Sequence, residues 1–229
     1  EADYVINFAL LKGHNLTGVT LCAKNHIGSV WVPGRDGKGG RWTPAGMHPY
    51  IRAFGGTWQR QWPARKMGSY TPLVDLMGHK DLGEKTLLFL LDGLYVAKDQ
   101  SGVPNRWKSA PFNDHWTSSI FLSQDGVAID SVGVDFLRNE PTCEGNVRGT
   151  LDNYLHEAAL AGDPPSGTVY DPEKDGTRLR SLGVHEHWKD AASKKYSRNL
   201  AAGEGIELIS SEAAGARGKR GASRSGPGE

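Results

Sequence analysis

Residues 2–28, ADYVINFALLKGHNLTGVTLCAKNHIG, decide how this chain is read. Val5–Leu11 is a short apolar run closed by a glycine two positions on, the pattern of a strand buried on both faces. It leads into a dense polar cluster, Lys12, His14, Asn15, Thr17, Thr20, Lys24, Asn25 and His26, set among small or apolar neighbours. Open α/β sheets bind their ligands at the carboxyl ends of strands, so the cluster stands where a site is expected. A lone lysine or histidine in a loop is ordinarily just solvated; the density of this cluster is what favours a site. His14 titrates near neutrality, and Lys12 and Lys24 carry the charge that a carboxylate or phosphate needs.

Outward from there, the chain reads as an α/β domain on a mainly parallel sheet flanked by helices. Tyr70–Gly78 is a helix with Pro72 in its first turn, and Lys85–Leu91 is a second buried strand that stops on Asp92 and Gly93. Asp92 either orients a site group or closes an Asx turn. Thr117–Ser123 is a third strand, and Asp125 stands at the N-cap of a helix carrying Val127, Ala128, Val132 and Phe136. Asp130 falls among the apolar residues of that helix, where an ionised group must be paired; we expect it to support the site, anchoring Lys12 or Lys24. Leu151–Ala161 is a further helix, with His156 and Glu157 expected on its solvent side.

Residues 29–68 form a Gly- and Trp-rich insertion with Trp31, Trp42, Trp58 and Trp62, and Arg35, Arg41, Arg52, Arg60 and Arg65 interleaved. So long a stretch without periodicity reads as a lid over the site or as a poorly ordered insertion. The tryptophans could equally form a satellite core. Near the other end, Gly183-Val-His185-Glu-His187-Trp188 places two histidines on one face if the segment is extended. With His48 they are the candidate ligands for a divalent metal. Gly205–Ile209 is expected to pack back on the domain, and from Ser210 the residues turn small and basic, a disordered tail.

The chain has 229 residues, 38% of them hydrophobic, enough for one substantial core with a tail. Its 27 basic and 26 acidic residues leave a formal net charge of +1, which gives no global field for nucleic acid or a membrane surface. No apolar run approaches the roughly 20 residues of a membrane helix. Cys22 and Cys143 are too few for an iron–sulfur cluster or a Cys-rich zinc site, and a disulfide between them is possible but unforced. The chain opens on strand-like sequence with no starting Met, so we expect an N-terminal portion to precede it.

The string KGHNLTGVTLCAKNHIG (residues 12–28) resembles the signature of the DUF362 family: a lysine, a histidine, a Thr-Gly-Val-Thr run and a Lys-Asn pair in that order. Leu73-Val-Asp75, Leu90–Gly93, Ser123–Asp130, GVHEHW (183–188) and YSRNLAAGEGIEL (196–208) extend the resemblance, which implies one domain over residues 1–209 and a region preceding it. The family is itself defined without an established reaction. A more distant likeness is to the nickel-dependent lactate racemase family, in which a strand leads to a histidine with a lysine ten residues after it, as His14 and Lys24 are here. That likeness implies an acid/base histidine, a lysine holding a nickel-pincer cofactor and a downstream histidine as metal ligand, for which His48 is nearest. Where that family has GFSGG, this chain has TGVTLCA, so the likeness carries over site architecture only.

Two functions follow. The first is an enzyme doing acid/base chemistry on a small anionic metabolite, with His14 and Lys24 catalytic and Lys12, Thr17, Asn25, Asp92 and Asp130 around the substrate. The second is a non-catalytic metal-binding or electron-transfer accessory module that uses His48, His185 and His187.

Overall fold

The computed structural model describes residues 2–30, 47–55 and 63–212. The four tryptophans of the insertion, three of its five arginines and residues 213–229 of the tail lie outside the described residues. In chain order the elements are strands β1 (Val5–Leu10), β2 (Lys12–His14) and β3 (Gly18–Thr20), helices α1 (Cys22–Asn25) and α2 (Pro72–Gly78), strands β4 (Thr86–Gly93) and β5 (Ser119–Ser123), and helices α3 (Gly126–Arg138) and α4 (Asn153–Ala159). This is a mixed α/β architecture with one three-stranded sheet, ordered β1-β4-β5, and a separate β2-β3 hairpin.

β1 pairs parallel to β4, with Ile6 opposite Leu88 and Leu10 opposite Asp92, whereas β5 runs antiparallel to β4, with Leu122 opposite Leu90. The mainly parallel sheet is therefore not what the described residues form. The connections explain it: α1 and α2 lie between β1 and β4, as a parallel crossover needs, but residues 94–118 hold no helix and bring β5 back alongside.

Nor is β1 buried on both faces. Asn7 and Ala9 turn inward, while Ile6, Phe8 and Leu10 are 66%, 53% and 48% exposed. Leu122 and Ile120 of β5 extend that open apolar face. Both faces of the run are apolar in sequence, so its period of two leaves no trace from which one-sided cover could be read.

The inner face carries Ala9, Leu91 and Phe121 in one row, and α3 lies across it. Gly133 of α3 lets the helix come close: a Cβ there would stand 2.9 Å from Leu91 and 3.0 Å from Leu21. As the sequence predicts, Asp125 caps α3, its Oδ1 accepting from the amides of Val127 and Ala128 at 2.8 Å. Thr71 and Pro72 start α2 in the same way, the threonine hydroxyl accepting from Leu73 N. Leu21, Leu91, Val127, Val134, Leu137 and Leu155 are fully buried in the core, as are the large side chains of Trp107, Tyr170 and Tyr196.

From residue 160 to 212 the chain has little regular structure and is held instead by acids that accept several hydrogen bonds each. Glu157, expected in solvent, is fully buried and accepts from Ser166 N, Ser166 Oγ and Tyr170 OH. Glu186 accepts from Ser197 and Ile206, which returns the 205–209 segment to the domain. Cys22 and Cys143 are both buried and free, so the possible disulfide is not formed.

Candidate functional site

After Leu11 the chain folds into the β2-β3 hairpin, pairing Lys12 with Thr20 and His14 with Gly18. The three-residue turn needs Gly18 at φ +79°, and a Cβ there would also strike Leu151 at 2.5 Å. Within the turn the amides of Leu16 (3.1 Å) and Thr17 (3.3 Å) donate to His14 Nδ1. That nitrogen is thereby an acceptor, so the single proton of a neutral His14 sits on Nε2. Burial first, then the charges of Lys24, His48 and Lys12, pushes the imidazole down to about 2, and it is neutral throughout the physiological range. The ring of His48 stacks on that of His14, centroids 5.5 Å apart and 22° from parallel.

Lys24 is placed by α1, and α1 is placed by Asp130. The Asp130 carboxylate, 0% exposed, accepts from Cys22 N (Oδ1, 2.8 Å), Ala23 N (Oδ2, 2.9 Å) and Tyr154 OH (Oδ2, 2.9 Å). Asp130 thus satisfies the first free amides of a helix only four residues long rather than pairing with a lysine. The Lys24 ammonium is lowered to about 8 by burial and by Lys12, and Lys12 is itself lowered by burial against the opposing pull of Asp99.

Lys24 lines a narrow cleft with ≈ 20 Å³ of free internal space, together with Thr17, Arg52, Arg65, Thr71, Asn153 and Tyr154. Arg52 is almost fully buried and donates from Nε to Phe54 O at 2.9 Å. Arg65 Nε is buried with no hydrogen-bond partner among the described residues. Both arginines stand in the stretch read as a lid or loose insertion, and its described parts form one wall of the cleft.

The structure thus brings together His14, Lys12 and Lys24, with Thr17 and Lys24 in the cleft wall. It does not bring His14, Lys12, Asn25, Asp92 or Asp130 to that wall. Asn25 Nδ2 donates to Asn7 Oδ1 at 2.8 Å, tying α1 to β1. Asp92 Oδ1 accepts from Leu94 N at 2.9 Å, the Asx-turn alternative. Asp130 is sealed in the core.

The metal candidates separate. His48 belongs with His14, while His185 and His187 meet a third histidine, His156, and one ring nitrogen of each lies within 4.8 Å of the others. His185 Nε2 is 3.3 Å from His156 Nε2, and its Nδ1 is 2.8 Å from Ser131 Oγ. His187 Nδ1 donates to Asp135 Oδ1 at 2.6 Å, and its Nε2 is 3.4 Å from Asp152 Oδ2, which Arg138 also holds. Those two carboxylates raise His187 to about 9. Nothing in the local sequence marks His156; helical phase alone points it to water, and only the return of the 183–188 segment over α3 and α4 covers it.

A family model, "Domain of unknown function (DUF362)", matches residues 1–135. The chain belongs to the DUF362 family. The matched part of this DUF362 chain holds the hairpin, α1 and all but the last turn of α3, and the three clustered histidines come after it. No curated protein and no solved structure matches it. No helix among the described residues is long and apolar enough to cross a membrane.

Proposed function

We propose that this DUF362 chain is an enzyme that does acid/base chemistry on a small anionic metabolite held in the Lys24 cleft. The observation that carries the reading is that Lys24 and Arg65 line one partly buried wall, with a guanidinium nitrogen of Arg65 lacking a partner among the described residues. Cations drawn together out of bulk water repel one another, and an anion that enters relieves the repulsion. Guanidinium groups suit carboxylate or phosphate because they offer two parallel N–H donors.

The proton falls to Lys24. An amine near pKa 8 exchanges its proton at neutral pH, which an ordinary lysine does not. His14, whose Nδ1 is taken by the turn amides, stays neutral beside Lys24 and is not the base. Lys12 tunes Lys24, and Asp130 holds α1 in position. From the likeness to the nickel-dependent lactate racemase family, only the ten-residue spacing of His14 and Lys24 enters this reading. Among the described residues His48 belongs to no group of three possible metal ligands, so no nickel step is carried over.

The test uses the full chain and a panel of small mono- and dicarboxylates and inorganic phosphate. At least one anion raises Tm in the wild type, and Lys24→Met and Arg65→Met lose that response while keeping the wild-type circular dichroism. No response in the wild type, or an unchanged one in Lys24→Met, overturns the site. Separately, amine acylation followed by mass spectrometry gives Lys24 a midpoint near pH 8 against 10.5 for an ordinary lysine. A midpoint at the ordinary value removes Lys24 as proton carrier. The second reading, a non-catalytic metal-binding module, rests on the histidine cluster.

A further inference from the structure

The cluster of His156, His185 and His187 shares no residue with the Lys24 cleft and has its own supporting groups. We propose that it is a binding site for a divalent late-transition cation of the zinc type, which pins the irregular C-terminal segment to α3 and α4.

The argument begins with hydrogen positions. The Ser131 hydroxyl donates its one proton to Val127 O at 2.8 Å, so its contact with His185 Nδ1 makes the histidine the donor. In a neutral His185 the lone pair is then on Nε2, and that atom is 3.3 Å from His156 Nε2. His187 Nδ1 donates to Asp135, and its Nε2, 3.4 Å from Asp152 Oδ2, gives up its proton when it meets an ion. Metal-bound histidines are characteristically held in this way, one nitrogen donating to a carboxylate or other oxygen while the other meets the ion.

One ligand spacing matches a tetrahedral edge, and the third nitrogen lies within 4.8 Å of the other two. Zinc–nitrogen bonds of about 2.0–2.1 Å set two ligand nitrogens about 3.3 Å apart on a tetrahedral edge, which is the distance between His156 and His185. Three imidazoles with a fourth position left over suit zinc, cobalt, nickel or copper over the oxygen-seeking magnesium and calcium. Asp152 lies 3.4 Å from His187 Nε2, near enough to take up that position or to hold a bound water. The same oxygen, Oδ2, also accepts from Arg138 Nη2 at 2.9 Å, which keeps the carboxylate oriented.

What the ion would do follows from where the ligands come from. His156 belongs to α4, whereas His185 and His187 lie in a stretch without regular structure that already leans on Asp125 and Asp135. A cation bridging them closes the loop from residue 156 to 187 and binds only the folded state, so it adds stability by mass action. The competing account is that His187 is simply a protonated bridge between Asp135 and Asp152, needing no metal.

The full chain, stripped with EDTA and dialysed, is titrated with ZnCl2 by calorimetry and by thermal shift. One zinc per chain binds, Tm rises, and His156→Ala and His185→Gln each lower the affinity by about 100-fold or more, beyond the 10- to 100-fold cost of disturbing a supporting partner. Lys24→Met binds zinc as the wild type does, so failure here and failure of the anion site are read separately. Should a histidine variant not fold, CoCl2 added to the wild type answers alone: the intense visible absorption of a tetrahedral, nitrogen-bound cobalt ion supports the site, and the pale spectrum of a hydrated ion overturns it. Absence of zinc binding, or equal binding by the variants, leaves the protonated bridge as the correct account.

Discussion

His14 and His26 are buried histidines that the fold keeps neutral, held near 2 and 4 against an ordinary 6.5. The unfolded chain therefore takes up protons below pH 6.5 that the folded chain refuses, and stability falls as pH drops through that value. Each imidazole contributes a slope of up to about 1.4 kcal/mol per pH unit. Urea midpoints measured at pH 7.5 and 5.5 are expected to drop at the lower pH, and His14→Gln to drop less. An equal drop in the variant would show that His14 is protonated in the native protein. At this scale the sequence marks the residue types well, because a lysine, a histidine and a threonine crowded into one short stretch are visible without coordinates. It does not mark which nitrogen carries a proton, since that depends on two amides of a turn whose geometry appears only on folding.

At the scale of elements, α1 is the least self-sufficient piece. Four residues cannot sustain a helix by their own hydrogen bonds, and this one depends on Asp130, 108 residues away from Cys22 in the chain. Replacing Asp130 by Ala leaves two backbone amides and the Tyr154 hydroxyl without their acceptor. We expect a loss of about 1–3 kcal/mol in urea unfolding, together with loss of the anion response of the Lys24 cleft. Loss of stability with an intact anion response would separate the cap from the site. The apolar period of α3 and the Thr71-Pro72 start of α2 are local signals, and both helices form where the sequence places them. The β2-β3 hairpin and α1 carry no comparable signal, being three and four residues long, so the sequence reads them as loop.

For the whole molecule, the sheet divides its apolar residues unequally between an inner face under α3 and an open one. Leu91, fully buried, and Phe8, half exposed, look alike in sequence and differ in what folding does with them. Leu91→Ala is expected to cost about 2–5 kcal/mol, the range for a buried leucine truncated in a packed core. Phe8→Ser is expected to stay within about 1 kcal/mol, because little area leaves water there. Chemical denaturation of both variants checks the contrast; comparable losses would mean that the outer face is covered in solution.

By itself the sequence determined the α/β class, the main strands and helices with their caps, and the stretch in which the site residues lie. These are properties of neighbours in the chain: periodicity, capping chemistry and local crowding of polar groups. Tertiary structure alone decided the antiparallel return of β5, the one-sided cover of β1, the entry of Arg52 and Arg65 into the Lys24 cleft, and the meeting of His156 with His185 and His187. Each of these joins segments tens of residues apart, and a contact of that kind exists only once the core between them has formed.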